Sequence, residues 1–202
     1  MKALLLIDLQ KDFAEGGALA IPGASQVVPL INQLQQKFGI IVATKDWHPP
    51  NHQSFVDQHP GKQIGETLEL HGMPQQLWPP HCVQGSEGAQ FMDGLNSRKI
   101  SQIFFTGTEK DSDCFSGFGN GLKMQKGLYP YLKDRRVERV YIAGLATDYY
   151  VKNTAIDAVK LGFETYVVSD ACKAVNLYPG DEGRAFAEMI EAGVNIIRSE
   201  VL

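Results

Sequence analysis

Cysteine is scarce in this chain. The three, Cys82, Cys114 and Cys172, form an odd and irregularly spaced set with no C-x-x-C pair. That excludes a disulfide framework and a thiolate zinc site, and it fits a reducing compartment. Positive charge is not in excess either: 19 Lys and Arg against 23 Asp and Glu leave a net charge of -4. Nucleic acid and anionic membrane surfaces select clustered basic residues, so neither is an expected partner. A small molecule or a second copy of the chain, as a homo-oligomer, is. Long apolar runs are missing as well. The opening run Met1 to Ile7 is closed by Asp8, which is too short for a signal h-region or a membrane span and reads as the first strand of a cytoplasmic protein. With no low-complexity tract or charge block to divide it, the chain is expected to form one domain over residues 1–202.

What the chain does hold is a recurring strand and helix grammar. After the first strand, Ala24 to Phe38 carries apolar residues at helical spacing (Val27, Val28, Ile31, Leu34) and stops at Gly39 before the strand Ile40 to Thr44. The same sequence of helix, glycine and strand returns at Leu161-Gly162-Phe163 and Ala192-Gly193-Val194. Left-handed glycine at a helix end lets the chain return along a sheet, so these junctions argue for βαβ winding. Adding Ile103 to Thr106, Val140 to Ala143, Thr165 to Val168 and Val194 to Ile197 gives about six strands. The expected fold is α/β, a six-stranded, mostly parallel, doubly wound sheet with helices on both faces. Asp46 to Lys99 loses the pattern and reads as a long loop region rich in Pro, His and Trp, a composition that argues for function.

In open parallel sheets ligands sit beyond the C-terminal ends of the strands. Asp8, Asp46, Thr106 and the turn Gly144 to Tyr150 stand there. Asp8 follows four apolar residues and reads either as a buried general base or as a cap on the next loop; Asp170 keeps the capping reading. Asp46 and His48 lie two apart in extended chain and can project to one side, which is metal-ligand spacing. His81, stiffened by Pro79 and Pro80, is the best third ligand, with His52 a further ligand or a partner to one. Such a set suits Zn, Mn or Fe(II), and it also resembles the two-His-one-carboxylate set of non-haem iron oxygenases. His59 and His71 read as solvated loop residues, as does the acidic group Glu109, Asp111 and Asp113. Phe13 and Trp78 could frame a flat slot for a ring. The turn Gly144 to Tyr150 leads into a helix that carries Val151, Ala155, Ala158 and Val159 on one face and would offer backbone donors to developing negative charge, yet where a Cys or Ser nucleophile would gain from them the chain has the phenol of Tyr150.

Several of these motifs occur together and in order: Asp8-Leu9-Gln10-Lys11-Asp12-Phe13, Gly16-Gly17-Ala18-Leu19, Asp46-Trp47-His48-Pro49, Trp78-Pro79-Pro80-His81-Cys82-Val83, Ser116-Gly117-Phe118 and Gly144-Leu145-Ala146-Thr147-Asp148. This series resembles the nicotinamidases and pyrazinamidases of the isochorismatase-like hydrolase family. The resemblance implies hydrolysis of nicotinamide to nicotinate and ammonia in NAD salvage, through a cysteine thioester, and acceptance of related pyridine carboxamides. It implies that Asp8 is the base, that Asp46, His48 and His81 hold a divalent metal (Zn first, Mn or Fe next) that orients the ring, and that Phe13 and Trp78 sandwich the ring. It further implies a cis peptide between Leu145 and Ala146, with the Ala146 and Tyr150 N–H groups at the oxyanion. Two positions depart from the family pattern. Thr106 stands where the lysine is expected, and Tyr150 where the nucleophilic cysteine is expected. Two readings follow: a nicotinamidase impaired or inactive as an amidase, unless Cys114 or metal-bound water serves as nucleophile, or a non-catalytic metal- and pyridine-binding relative with a sensing role.

Overall fold

The computed structural model describes residues 1–70, 72–112, 114–119 and 127–202. Six strands form one parallel sheet: β1 (Lys2–Ile7), β2 (Ile41–Asp46), β5 (Gln102–Thr106), β6 (Arg139–Leu145), β7 (Glu164–Lys173) and β8 (Asn195–Ile197), in the order β5-β2-β1-β6-β7-β8. Every adjacent pair is parallel, for example Leu4 opposite Ile41 and Tyr141. Each of the six strands expected from sequence is present. The central strands are mainly apolar because both faces are covered, and Leu4, Leu5, Leu6 and Ile7 are essentially inaccessible.

One face carries α1 (Val27–Leu34), whose Val27, Val28, Ile31 and Leu34 pack on Leu4, Leu6, Ala43 and Tyr141. The other carries α2 (Leu128–Asp134), α3 (Lys152–Lys160) and α4 (Asp181–Glu191), which place Leu132, Ala155, Ala158 and Met189 on Leu5, Ile7, Ile142 and Val167. Alternate residues of β1 therefore feed two cores, as a period of two requires. The winding reverses between β1 and β6, which opens a crevice beyond their C-terminal ends. Close approach there depends on Gly144: at φ +128° it lies against the Ile7 backbone, where a Cβ would collide.

Three expectations change. Gly162 and Gly193 take the left-handed conformation, but Gly39 does not; the helix before it tightens into a 3-10 turn (Gln35–Lys37) and ends on extended Phe38. The stretch Asp46 to Lys99 is not all loop, because Thr67–Leu70 (β3) and Met73–Gln76 (β4) pair as an antiparallel hairpin. Asp170, expected to cap the loop after its strand, lies within β7 and instead accepts hydrogen bonds from the distant Ser199 N–H (2.9 Å) and hydroxyl (2.6 Å). His71 and Asp113 lie outside the described residues. Among the described residues no helix is long and apolar enough to cross a membrane.

Candidate active site

Asp46 ends β2 with its backbone held by one side chain: Gln10 accepts from the Asp46 N–H (2.9 Å) and donates to the Asp46 carbonyl (2.7 Å). The segment after it then pairs with a distant loop. His48 N–H donates to the Cys82 carbonyl (3.1 Å) and Gln84 N–H to the His48 carbonyl (2.8 Å), while the Asp12 carboxylate accepts from the Cys82 N–H (2.7 Å). These bonds bring His81 to the Asp46–His48 edge. The Nε2 atoms of His48 and His81 lie 3.6 and 3.8 Å from Asp46 Oδ2, and all three residues are buried.

Both imidazoles are oriented from behind. His48 Nδ1 lies 3.0 Å from the Gly107 carbonyl and His81 Nδ1 lies 2.8 Å from the Pro79 carbonyl. A carbonyl only accepts, so Nδ1 carries the proton and each Nε2 lone pair faces Asp46. Gly107 permits this at φ +61°, where a Cβ would strike the His48 ring. Burial and the neighbouring His48 lower His81 to about 4, which keeps it neutral and able to bind a cation at neutral pH. Burial pushes the Asp46 carboxyl up; where His48 is protonated, its charge and hydrogen bond, followed by His81, outweigh that and hold the carboxylate below its usual range. Separations of 3.6–3.8 Å come within about half an ångström of the ~3.3–3.4 Å edge of a tetrahedral zinc site with ~2.0–2.1 Å bonds. Asp46, His48 and His81 thus fit a divalent cation, and among the described residues no other set of His, Cys, Asp and Glu is gathered in this way. His52 is not part of the set: its Nδ1 bonds the Ser54 hydroxyl (2.7 Å) and its ring packs 4.3 Å from that of His48. His59 is tied to the Gln53 carbonyl (2.8 Å) rather than simply solvated.

Asp8 lies beside this cluster, fully buried and at φ +47°. Its Oδ1 accepts from the Thr44 hydroxyl (2.6 Å), and among the described residues its Oδ2 has no hydrogen-bond partner. Burial first, and the Asp46 charge second, raise it well above the usual carboxylate range. Thr106, at the end of β5, does not turn to Asp8. Its hydroxyl lies 3.2 Å from Asp46 Oδ1 and 3.3 Å from the Lys45 carbonyl.

After β6 the Leu145–Ala146 peptide is cis, and the Ala146 carbonyl accepts from the N–H groups of Tyr149 and Val151 (both 3.1 Å). The chain enters α3 through a π-turn, Thr147–Val151, rather than a regular helical turn. Asp148 anchors that turn by accepting from the N–H groups of Val175 (3.0 Å) and Asn176 (2.8 Å). Tyr150 is buried within it. A cavity of about 40 Å³ is lined by Asp8, Phe13, Asp46, His48, Trp78, His81, Ala146 and Tyr150. The residues expected at the site therefore meet around one cavity, except Thr106, which lines a second cavity of about 210 Å³ together with Cys114. Leu19, Ile21, Phe115, Leu145, Tyr149 and Val175 complete the first cavity; Leu19 and Leu145 fall within motifs of the resemblance, while the other four carry no local signal that sequence reading could use. Tyr149 packs edge-on to Trp78 (5.4 Å) with its hydroxyl on Gln76 (3.0 Å). The expectation that Cys114 could act here meets a geometric obstacle, since its thiol is turned to the Ser116 carbonyl (3.1 Å).

A doubly wound parallel sheet with a buried Asp-His-His cluster and a desolvated aspartate at its switch point defines a class of α/β proteins with a metal-competent pocket over the strand ends. Within that class the chain belongs to the isochorismatase domain family, whose profile matches residues 2–201. It is 44% identical to a nicotinamidase of Acinetobacter baylyi, over 98% of this chain and 92% of that protein. The solved Acinetobacter baumanii nicotinamidase/pyrazinamidase is 43% identical, with a TM-score of 0.94 over 100% of this chain and 98% of that one. A Pyrococcus horikoshii pyrazinamidase solved in complex with zinc is 39% identical (TM-score 0.79, 98% of each chain). A yeast nicotinamidase solved with the inhibitor nicotinaldehyde is 29% identical (TM-score 0.91, 98% of this chain and 100% of that one).

Proposed function

We propose that this chain is a nicotinamidase by descent, with a divalent metal site and a pyridine-carboxamide pocket, whose amidase chemistry is impaired at two positions. The observation that carries this reading is Tyr150: a buried phenol occupies the turn over the metal-competent cluster, where the family resemblance calls for a cysteine thiol. Asp46, His48 and His81 would hold the metal, zinc first among the candidates, and the metal would polarise and orient the ring of a bound carboxamide. Phe13 and Trp78 supply the apolar walls, and Ala146 the backbone turn facing the reacting carbonyl. Asp8 is equipped to take a proton from a nucleophile, but a phenol of ordinary pKa ~10 is a poor one and its oxygen stands a ring's length further from the backbone than a thiol sulfur. Thr106 supplies no cation to balance Asp8, which matches the unpartnered Asp8 Oδ2.

Space supports the same reading. About 40 Å³ holds a few waters, whereas ligand clefts commonly offer ~300–1,000 Å³. That also weighs against a dedicated pyridine sensor, since Tyr150 takes up one wall of the space a ring would use. Zinc- or manganese-loaded protein is expected to release ammonia from nicotinamide at close to the uncatalysed rate, with no acylated cysteine seen by mass spectrometry. Turnover that stops when Cys114 is alkylated would overturn the reading and make Cys114 the nucleophile.

A further inference from the structure

Trp78 is pinned at its backbone: its N–H donates to the Ser54 carbonyl (2.9 Å) and its carbonyl accepts from the Val56 N–H (2.8 Å). Main-chain bonds do not choose the rotamer of the indole, which is left to its neighbours. Tyr149 packs edge-on against it, with centroids 5.4 Å apart and an interplanar angle of 81°. Tyr149 is itself fixed at both ends. Its N–H donates to the Ala146 carbonyl (3.1 Å) and its hydroxyl to Gln76 Oε1 (3.0 Å). Gln76 closes β4 two residues before Trp78, and its amide donates onward to the Gly65 carbonyl (3.4 Å). Burial pushes the Tyr149 phenol up to about 12, so it keeps its proton and remains the donor. The other aromatic wall is held differently, with Phe13 5.7 Å from the His81 ring. Resting on the pyridine-carboxamide pocket proposed above, we infer that Tyr149 is a positioning residue that fixes the Trp78 indole and so sets the width of the ring slot. With the latch in place a flat ring meets a wall already ordered. Without it the ring must immobilise the indole itself, which weakens binding by about two- to tenfold. Because the Tyr149 hydroxyl is spent on Gln76 and not on a bound amide, the loss falls on binding and not on the chemical step.

Removing one hydroxyl tests this. The chain has two tryptophans, so Trp47→Phe leaves Trp78 as the sole one, and acrylamide quenching of its fluorescence reads how firmly the indole is held. In that background Tyr149→Phe and Gln76→Leu are each expected to raise the quenching constant about twofold or more. Combined they should do no more than either alone, because both break the same bond. In the chain carrying Tyr150→Cys with Thr106→Lys, Tyr149→Phe is expected to raise KM for nicotinamide by about two- to tenfold and to leave kcat within about twofold. Quenching unmoved by Tyr149→Phe, or a fall in kcat with KM unchanged, would overturn the inference. Absence of turnover in the Tyr150→Cys, Thr106→Lys chain would instead count against the nicotinamidase reading, and the quenching result would then decide for or against the latch by itself.

Discussion

Gln10 touches no ion-binding atom, yet it grips both backbone polar groups of Asp46 and sends its remaining donor to the Ala89 carbonyl (3.2 Å). A positioning side chain of this kind commonly governs metal affinity by ~10–100-fold. Gln10→Ala is therefore expected to weaken zinc binding by about that factor, measured by competition with a chromophoric chelator; unchanged affinity would show that Asp46 needs no such support. Asp8 gives a pH signature. Its carboxyl is held above the usual range by burial, so the folded chain keeps a proton that the unfolded chain loses near pH ~4. The stability it contributes is complete below the unfolded pKa and is lost as pH rises towards the folded one. Metal-free Asp8→Asn should thus be more stable than the parent at pH 7, with the gap closing towards pH 4 in urea titrations; a gap independent of pH would contradict the burial argument. At this scale the sequence was informative where a residue carries its own chemistry. Asp8, Asp46, His48 and His81 could be named from type and spacing, whereas Tyr149 and Val175 could not, because their place at the cavity comes from packing.

The strand ends were legible because fully buried parallel strands are runs of β-branched and aliphatic residues bounded by polar ones. Four of the site's parts sit at those boundaries. The β3–β4 hairpin was not, since Thr67-Leu68-Glu69-Leu70 alternates over only four residues and its partner strand contains Pro74. Gly39 shows the limit of reading helix ends by glycine alone: a 3-10 turn closed the helix without a left-handed residue. The pairing of the His48 segment with the 81–84 loop is a tertiary event carried by Asp12 and main-chain bonds, and no local pattern announces it. Gly107 tests how tightly the loop after β5 seats His48. In Gly107→Ala the new Cβ would meet the His48 ring and the backbone would be held at an unfavourable φ. We expect zinc affinity to fall by roughly tenfold or more and stability to drop by about 1–3 kcal/mol, read by chelator competition and urea unfolding. No change in either would mean that His48 is not fixed by this contact.

Across the whole molecule the candidate metal cluster joins distant parts of the chain, because Asp46 ends β2 while His48 and His81 come from the long excursion between β2 and β5. An ion bound only by the folded chain stabilises it by mass action, about 2.7 kcal/mol at a concentration 100 times the dissociation constant. Zinc should raise the melting temperature and a chelator should lower it, while Asp46→Asn should abolish the difference; a melting point indifferent to zinc would argue against the site. The same architecture sets the central question of activity. The fold, the cluster, Asp8 and the aromatic walls come together around one cavity, and the reading that the chain is an impaired nicotinamidase turns on Tyr150 and Thr106. The most direct measurement is ammonia release from nicotinamide by zinc-loaded parent protein and by the double variant Tyr150→Cys with Thr106→Lys. The account predicts that the double variant is at least ~10³-fold faster, the scale on which losing a nucleophile and its activating partner reduces turnover. A parent chain that hydrolyses nicotinamide as fast as the double variant would contradict it.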